Sequence, residues 1–491
     1  MSPYTYLLRR YGFPIAAAAV VIFILSALFF PNAFPSTVYK STQLTANQPI
    51  LSSPCEAVSG VCAEPSAPFV PLLPAEYTAK NLDQPFCNDR FGIQYLQGLS
   101  DNATKYCTEN SGSLLTCFHS RTAKEGRTDS FCIGEGSLFE HGRFGLNCQA
   151  RELSSEEVGH RTPGIENLAH YWYNTGPGAI LRDYVNLSAP THRLVEDSNF
   201  TILVRREENI FNPWHSLMEI FSLSMTLDVL RMTMSPHSQS AFLGPSVKSR
   251  ILILDQYAEG PYWDLWTLFA PGGIERMEDA KTTAVENIII PLAGGSNPFW
   301  QGDWEAHACP ISPLLRVFSG RILDFYKISH DPVIDDRPLV LTFIDRREKR
   351  RLVNIDSYIK ALQRQFPAVK IQTVDFASIS FEYQARISSE TDILAGVHGA
   401  GLTHAMFQRP GSALVEIVPK DFNFKGFRNL AKLAGHQYFS AHARQEGGTT
   451  SGTKGGWQYD DVDIEEDRFL RLMEIAIKSM YQRGRREEDV V

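Results

Sequence analysis

A chain of 491 residues is too long for one ordinary core, and two compact bodies with accessory segments are expected. Its 43% hydrophobic and 21% charged residues are globular values, which excludes a wholly disordered or fibrous chain. A net charge of -8 argues against a binder of nucleic acid, whose partner demands a basic face.

The first predicted element is an apolar run from Phe13 to Phe30, 18 residues without charge, broken only by Pro14 and Ser26. Arg9 and Arg10 precede it, and the next basic residue is Lys40. That length spans a bilayer core, and the basic flank keeps its own side cytosolic. The expectation is a cytosolic tail over 1–12, a transmembrane signal anchor over 13–30 and a luminal body: a single-pass type II protein of the Golgi or endoplasmic reticulum. A cleaved signal peptide is the rival, although its apolar core is ordinarily shorter. Residues 31–80 are rich in Pro, Ser, Thr and Ala and read as a flexible stalk. Eight cysteines follow the anchor (Cys55, Cys62, Cys87, Cys107, Cys117, Cys132, Cys148 and Cys309). Their even count fits a disulfide framework of an oxidising compartment, with the pairing open. No two are spaced C-x2-C, which argues against a metal site. Sequons at Asn102, Asn186 and Asn199 fit a luminal glycoprotein.

Residues 81–325 form a first body of mixed pattern. Asn209 to Met232 is apolar-periodic and predicts a helix opening just after Pro213. SVKSRILILD (246–255) predicts a buried strand with Asp255 at its C-terminal end. Residues 326–460 are more regular. Strands are predicted at 338–344, 369–374, 393–397 and 413–418, and helices at 354–366, 381–388, 402–407 and 424–433. That alternation predicts βαβ units and a parallel, doubly wound α/β sheet. A terminal helix and tail occupy 461–491.

The densest chemical signal is DILAGVHGAGLTH (392–404), a buried strand running into a glycine-rich turn and a helix. Open α/β sheets bind ligands at this end of their strands. Gly399 and Gly401 would let the backbone approach a ligand, and the helix N-terminus would offer amides to a pyrophosphate. His398 and His404 could donate to phosphate oxygens. Without further information the turn could equally be a plain βα connection. Asp345-Arg346-Arg347-Glu348-Lys349-Arg350-Arg351 ends the preceding strand on the same rim, and Arg346 is the candidate to neutralise a diphosphate. The remaining basic residues there fit a solvated loop as well. Glu416, in VEIVP, could hold ribose hydroxyls or simply be a surface charge.

GVHGAGLTHAMF (396–407) followed by GSALVEIVP (411–419) resembles the signature of glycosyltransferase family 61. The branch it most resembles contains the EGF-domain-specific O-linked N-acetylglucosamine transferases and their fungal relatives. The resemblance runs from about residue 85 to 485 and is weaker at 209–219, 255–266 and the Arg346 loop. It implies a GT-B-like fold, two Rossmann-like domains facing a cleft. The 326–460 domain would bind a UDP-sugar through Arg346, His398, Gly399, Gly401, His404 and Glu416. The 81–325 domain would present the acceptor and supply the base for an inverting displacement. His215 and Glu219, four apart on one helix face, are the first candidates. Asp255 is the next, and Asp264, within the aromatic run YWDLW, follows it. Asp461-Val-Asp463 has Asp-x-Asp spacing but opens the terminal helix, where acids favour the dipole. No essential metal is therefore expected, and dependence on a divalent ion stays open. The expected donor sugar is N-acetylglucosamine or xylose, and the acceptor a luminal protein or glycan. The alternative is a catalytically inactive GT-B lectin-like or assembly protein of the secretory pathway.

Overall fold

The computed structural model describes residues 73–77, 84–122, 127–190, 199–236, 240–244, 247–281, 285–301, 304–329, 337–420, 422–444 and 459–482. The expected anchor at 13–30, the bulk of the 31–80 stalk, Cys55 and Cys62 lie outside the described residues. Among the described residues no helix is long and apolar enough to cross a membrane.

Two sheets organise the described chain. The first contains β1 (Ala103–Lys105), β2 (Leu114–Ser120), β3 (Asp129–Glu140), β4 (Arg143–Gly145), β5 (Val185–Asn186), β6 (Phe200–Val204), β7 (Ser249–Ile253), β8 (Ile274–Arg276) and β9 (Glu286–Ile290). Its main path runs β1-β2-β3-β9-β6-β7-β8, and β4 and β5 pair off the edge of β3. The β9-β6-β7-β8 portion is parallel, whereas β1, β2, β3 and β9 pair antiparallel. The first body is therefore mixed, and only part of it is Rossmann-like. Short strands and close cysteine spacings before residue 150 carry the antiparallel part. Cys117 and Cys132 face each other across β2 and β3, and their disulfide staples that ladder. Cys107–Cys148 closes the neighbouring loops, and Cys87–Cys309 joins positions 222 residues apart.

The side-chain period of two sorts this sheet into two cores. Ile202, Ile251, Ile253 and Ile289 face the central core. Leu203, Leu252, Ile288 and Ile290 face a second cluster with Phe144 and Leu146. On the central side lies helix α1 (Pro213–Met232), which opens where expected: Pro213 takes the first position and the Asn212 side chain accepts from the Trp214 N–H. Sixteen of its twenty residues are buried, which is why its apolar character runs all round.

The second sheet contains β10 (Val340–Ile344), β11 (Lys370–Val374), β12 (Ile393–Val397), β13 (Ala413–Val418) and β14 (Gln437–His442), all parallel, in the order β11-β10-β12-β13-β14. Four of these were expected. β14 was not, because its half-exposed QYFSAH pattern gives no continuous apolar run. Helices α2 (Ile355–Gln365) and α3 (Glu466–Tyr481) cover one face over Leu341, Phe343, Ile393 and Val415. The other face, through Ile344, Leu394 and Leu414, joins the same central core that α1 fills. The described residues all fall within one compact unit, Ala67–Val491.

One difference touches the site. The segment after the glycine turn, Ala400–Phe407, is a buried 3-10 helix rather than an α-helix. Residues 402–407 are all buried, and His404 Nδ1 is tied back to the Gly401 carbonyl within the same turn. The expected α-helical N-terminus for a pyrophosphate is therefore not present in that form.

Candidate functional site

In the second sheet, numbering its strands in chain order gives 2-1-3-4-5, so the direction of winding reverses between β10 and β12. The crevice beyond the strand ends at such a reversal is where doubly wound sheets hold ligands. The Arg346 loop leaves β10 there, and the His398–Gly401 turn leaves β12. A Cβ placed on Gly399 would collide with Nη1 of Arg346 and lie 3.4 Å from Nη1 of Arg350. Only a residue without a side chain lets the two guanidinium groups close over the turn. Arg350 Nη1 donates to the His398 carbonyl at 3.0 Å, and Arg346 Nε to the Lys349 carbonyl at 3.1 Å. Arg346 makes no ion pair among the described residues. Burial lowers its pKa, while burial and the Arg346 charge push Arg350 down to about 10. Both remain cations at neutral pH, drawn together over the Gly399 turn. That is a standing attraction for a polyanion.

Sequence alone did not separate Arg350 from its basic neighbours; the structure does. Arg347 pairs with Asp345 at 3.0 Å in the open, and Arg351 with Asp461 at 2.5 Å. Lys349 sits over the Tyr459 ring. Asp461 and Asp463 are thus engaged by Arg351 and Arg444, and no group of three metal-ligating side chains occurs among the described residues.

The remaining donor-side candidates lie beneath this rim. His398 follows β12 with the parity of Leu394 and Gly396, and Glu416 has that of Leu414 on β13. Both therefore face the first body. His398 Nδ1 is 2.5 Å from Glu416 Oε1, and Tyr438 donates to Glu416 Oε2 at 2.5 Å. Glu416 is 1% exposed, so it holds His398 and is not an open acceptor for ribose. The His398 ring is packed by Phe422, Phe424 and Phe427. Gly401 is shaped by packing, since a Cβ there would press on Ile344. His404 lies among Phe376, Phe381 and Phe407 and is 1% exposed. Burial lowers its pKa to about 4, so it is a neutral support beneath the turn.

On the first body, His215 and Glu219 share one face of α1 as expected, and Glu207 joins them. His215 Nδ1 is 2.6 Å from Glu207 Oε2, and the Glu207 backbone N–H donates to Glu219 Oε1 at 2.8 Å. The His215 side chain is 21% exposed and Glu207 only 1%. Burial, reinforced by the Glu207 carboxylate, raises the Glu219 pKa well above the usual carboxylate range and favours its neutral form. A Cβ on Gly294 would lie 2.7 Å from Glu219 Cγ and 3.4 Å from Glu207 Oε1, so glycine is needed to cover the pair. Glu207 was missed from sequence. Its signal was a carboxylate just beyond a strand end, on the rim of the parallel half-sheet.

Asp255 is spoken for. Both its oxygens are held by Arg206, with Nη2 at 2.7 Å and Nε at 3.2 Å, and also by backbone N–H groups of Arg206 and Tyr257. Arg206 further donates to the carbonyls of Tyr257, Ala258 and Glu259. This buried fork shapes the 255–260 loop and engages both Asp255 oxygens. Asp264 accepts from Tyr326 at 2.8 Å; Tyr262 and Trp266 fill the core, while Trp263 lies under Arg206 and Arg276.

An aromatic wall connects the two bodies at this place. The rings of His215 and Trp300 are 4.6 Å apart, Trp300 and Trp214 6.5 Å, Trp214 and Phe427 5.7 Å, and Phe427 and His398 5.3 Å. Two carboxylate-bound histidines thus stand at the two ends of one wall. Beside it, Tyr171, Tyr173 and Asn174 take φ of 58°, 57° and 56°. Left-handed non-glycine residues cost about 1–3 kcal/mol each, and such strain clusters at functional sites. The loop they shape places Trp172, 56% exposed, 5.6 Å from Trp300.

Residues 302–415 match the family described as Glycosyltransferase 61, a stretch that carries Arg346, Arg350, His398, Gly399, Gly401 and His404. The chain is 24% identical over 448 residues to the EGF domain-specific O-linked N-acetylglucosamine transferase of Drosophila melanogaster, covering 83% of this chain and 79% of that one. It is 30% identical over 324 residues to the protein of the same name from Canis lupus familiaris, covering 62% and 55%. The Xenopus laevis protein of that name matches at 30% over 183 residues, 36% and 34%. The chain thus spans about a third to a half of these two vertebrate relatives. Residues 302–415 carry a Glycosyltransferase 61 domain, and the chain is a glycosyltransferase.

Proposed function

We propose that the protein is an inverting transferase that moves a sugar, N-acetylglucosamine or xylose, from a UDP-sugar to a luminal polypeptide or glycan. The two bodies then play the parts of a GT-B-like pair, residues 326–460 for the donor and 81–325 for the acceptor. An anchor at 13–30 would hold them at a Golgi or endoplasmic reticulum membrane. N-acetylglucosamine is the first choice because the relatives above carry it in their names, and those names also make a protein acceptor the first choice.

The observation that carries the reading is the convergence of Arg346 and Arg350 over Gly399 at the β10/β12 reversal, joined through the aromatic wall to His215–Glu207. In the reaction the acceptor oxygen attacks the anomeric carbon. The bond from that carbon to the β-phosphate oxygen breaks, and its electron pair leaves on UDP. The two guanidiniums stabilise the developing charge, a task for which their planar forks suit them. The acceptor proton passes to Nε2 of His215, and the Glu207 carboxylate at Nδ1 stabilises the imidazolium that forms. Glu219, kept neutral by burial, positions Glu207 and is not itself the base. His398, Glu416 and His404 support the donor turn. No metal is required in this scheme, because the two cations serve the leaving group.

The test is a screen of UDP release across UDP-sugars, including UDP-N-acetylglucosamine and UDP-xylose. Release with one or two donors is expected, reduced roughly a hundredfold or more in Arg346→Ala. A folded protein that releases UDP from none of them would overturn the reading.

A further inference from the structure

Away from the donor rim, a chain of net charge -8 gathers three guanidinium groups in one place. Arg121, Arg127, Thr128, Gly159, His160 and Arg161 line an open hollow of about 270 Å³. Thr128 donates to the Arg161 carbonyl at 3.2 Å, which ties two walls of the hollow together. Arg127 is engaged by Asp129 at 3.1 Å, but Asp129 is 1% exposed and lies under the hollow rather than in it. Arg121 and Arg161 make no ion pair among the described residues. The proposed transfer chemistry uses none of these groups.

We propose that this hollow seats an acidic side chain of the polypeptide acceptor and so selects acceptors with a carboxylate near the modified hydroxyl. The inference rests on the reading of the first body as the acceptor side. Three features support it. The charge of the hollow is locally positive on a negative protein, so an acidic side chain is attracted there and not elsewhere on the surface at large. The size falls just below the roughly 300–1,000 Å³ of ligand pockets, too small for a nucleotide sugar and suited to one side chain. The position is the third. The Arg127 guanidinium lies 5.2 Å over the Tyr171 ring, and Tyr171 begins the strained loop that exposes Trp172. Trp172 packs on Trp300, which packs on His215. A polypeptide laid across Trp172 would reach the hollow at one end and His215 at the other, a few residues apart. Planar guanidinium forks match a carboxylate in two-point contact.

The experiment compares two labelled short peptides, one with Glu flanking a Ser/Thr and one with Gln in the same places. Their binding to the full chain is measured directly, by anisotropy at low and high salt. The variant is Arg121→Gln/Arg161→Gln, which leaves the Arg127–Asp129 pair in place. UDP release without acceptor is recorded alongside. The Glu peptide is expected to bind about tenfold more tightly than the Gln peptide at low salt. The double variant and high salt should erase that difference, with basal UDP release unchanged. Equal binding of the two peptides, or a preference that survives in the double variant, would overturn the inference. So would a preference for a sulfated glycan over both peptides. Loss of UDP release with the peptide preference intact would count against the donor reading alone.

Discussion

Glu207 holds His215 by its Nδ1 at 2.6 Å, which directs the opposite ring nitrogen to any chemistry the histidine performs. The first prediction follows. Glu207→Gln removes the charge that would stabilise an imidazolium while keeping the shape, and His215→Asn removes the proton acceptor. Each should lower kcat for transfer by roughly 10²–10⁴-fold, with donor KM little changed. Steady-state kinetics with a fixed acceptor decides it; a change confined to KM would remove the pair from the chemistry.

Gly399→Ala tests the donor rim without removing a charge. The added methyl collides with the Arg346 guanidinium, so the two cations are forced apart. Affinity for UDP should fall at least about tenfold, while thermal stability should change less, because the clash is with the far end of a flexible side chain and not with backbone. Calorimetric titration of UDP, paired with a melting curve, reads both.

His404 should act on stability more than on chemistry. Burial lowers its pKa from 6.5 to about 4, so between those values the unfolded chain binds the proton that the folded chain refuses. Its contribution is therefore present above about pH 6.5 and declines as pH falls toward 4. His404→Gln should be less stable than the parent at pH 7, through lost packing against Phe376 and Phe381, and the deficit should narrow toward pH 4. Denaturant unfolding at several pH values measures this. A constant deficit would contradict the assignment.

Asp255→Asn is expected to damage folding and spare the chemistry. Removing the charge leaves Arg206, 3% exposed, without its counter-ion, and breaking such a buried pair costs about 3–5 kcal/mol. The melting temperature should drop sharply, while the activity of the fraction that remains folded stays near the parent value. Complete loss of activity in fully folded protein would return Asp255 to the list of bases.

Much of the second sheet was legible because parallel strands buried on both faces read as short apolar runs, as at 393–397 and 413–418. The place of the glycine turn and of Arg346 at strand ends was legible because each closely follows a predicted strand in the chain order. The roles of Glu416 and His404 were not, since a sequence shows residue type but not which carboxylate meets which imidazole. The engagement of Asp255 was hidden for the same reason: its partner Arg206 lies 49 positions away. Glu207 escaped because it stands within a run of four charges, RREE, where solvation is the ordinary fate.

The central core does not stop at the boundary between the two sheets. Phe221 and Phe318 from one side and Leu394, Leu402 and Phe407 from the other belong to a single buried cluster. Parting the sheets like two jaws would strip water-free contact from each of these residues, at about 1.5–3 kcal/mol apiece. On the proposed reading, exchange of substrate and product would fall to the surface loops at the rim, such as the arginine loop after β10, rather than to a hinge between the sheets.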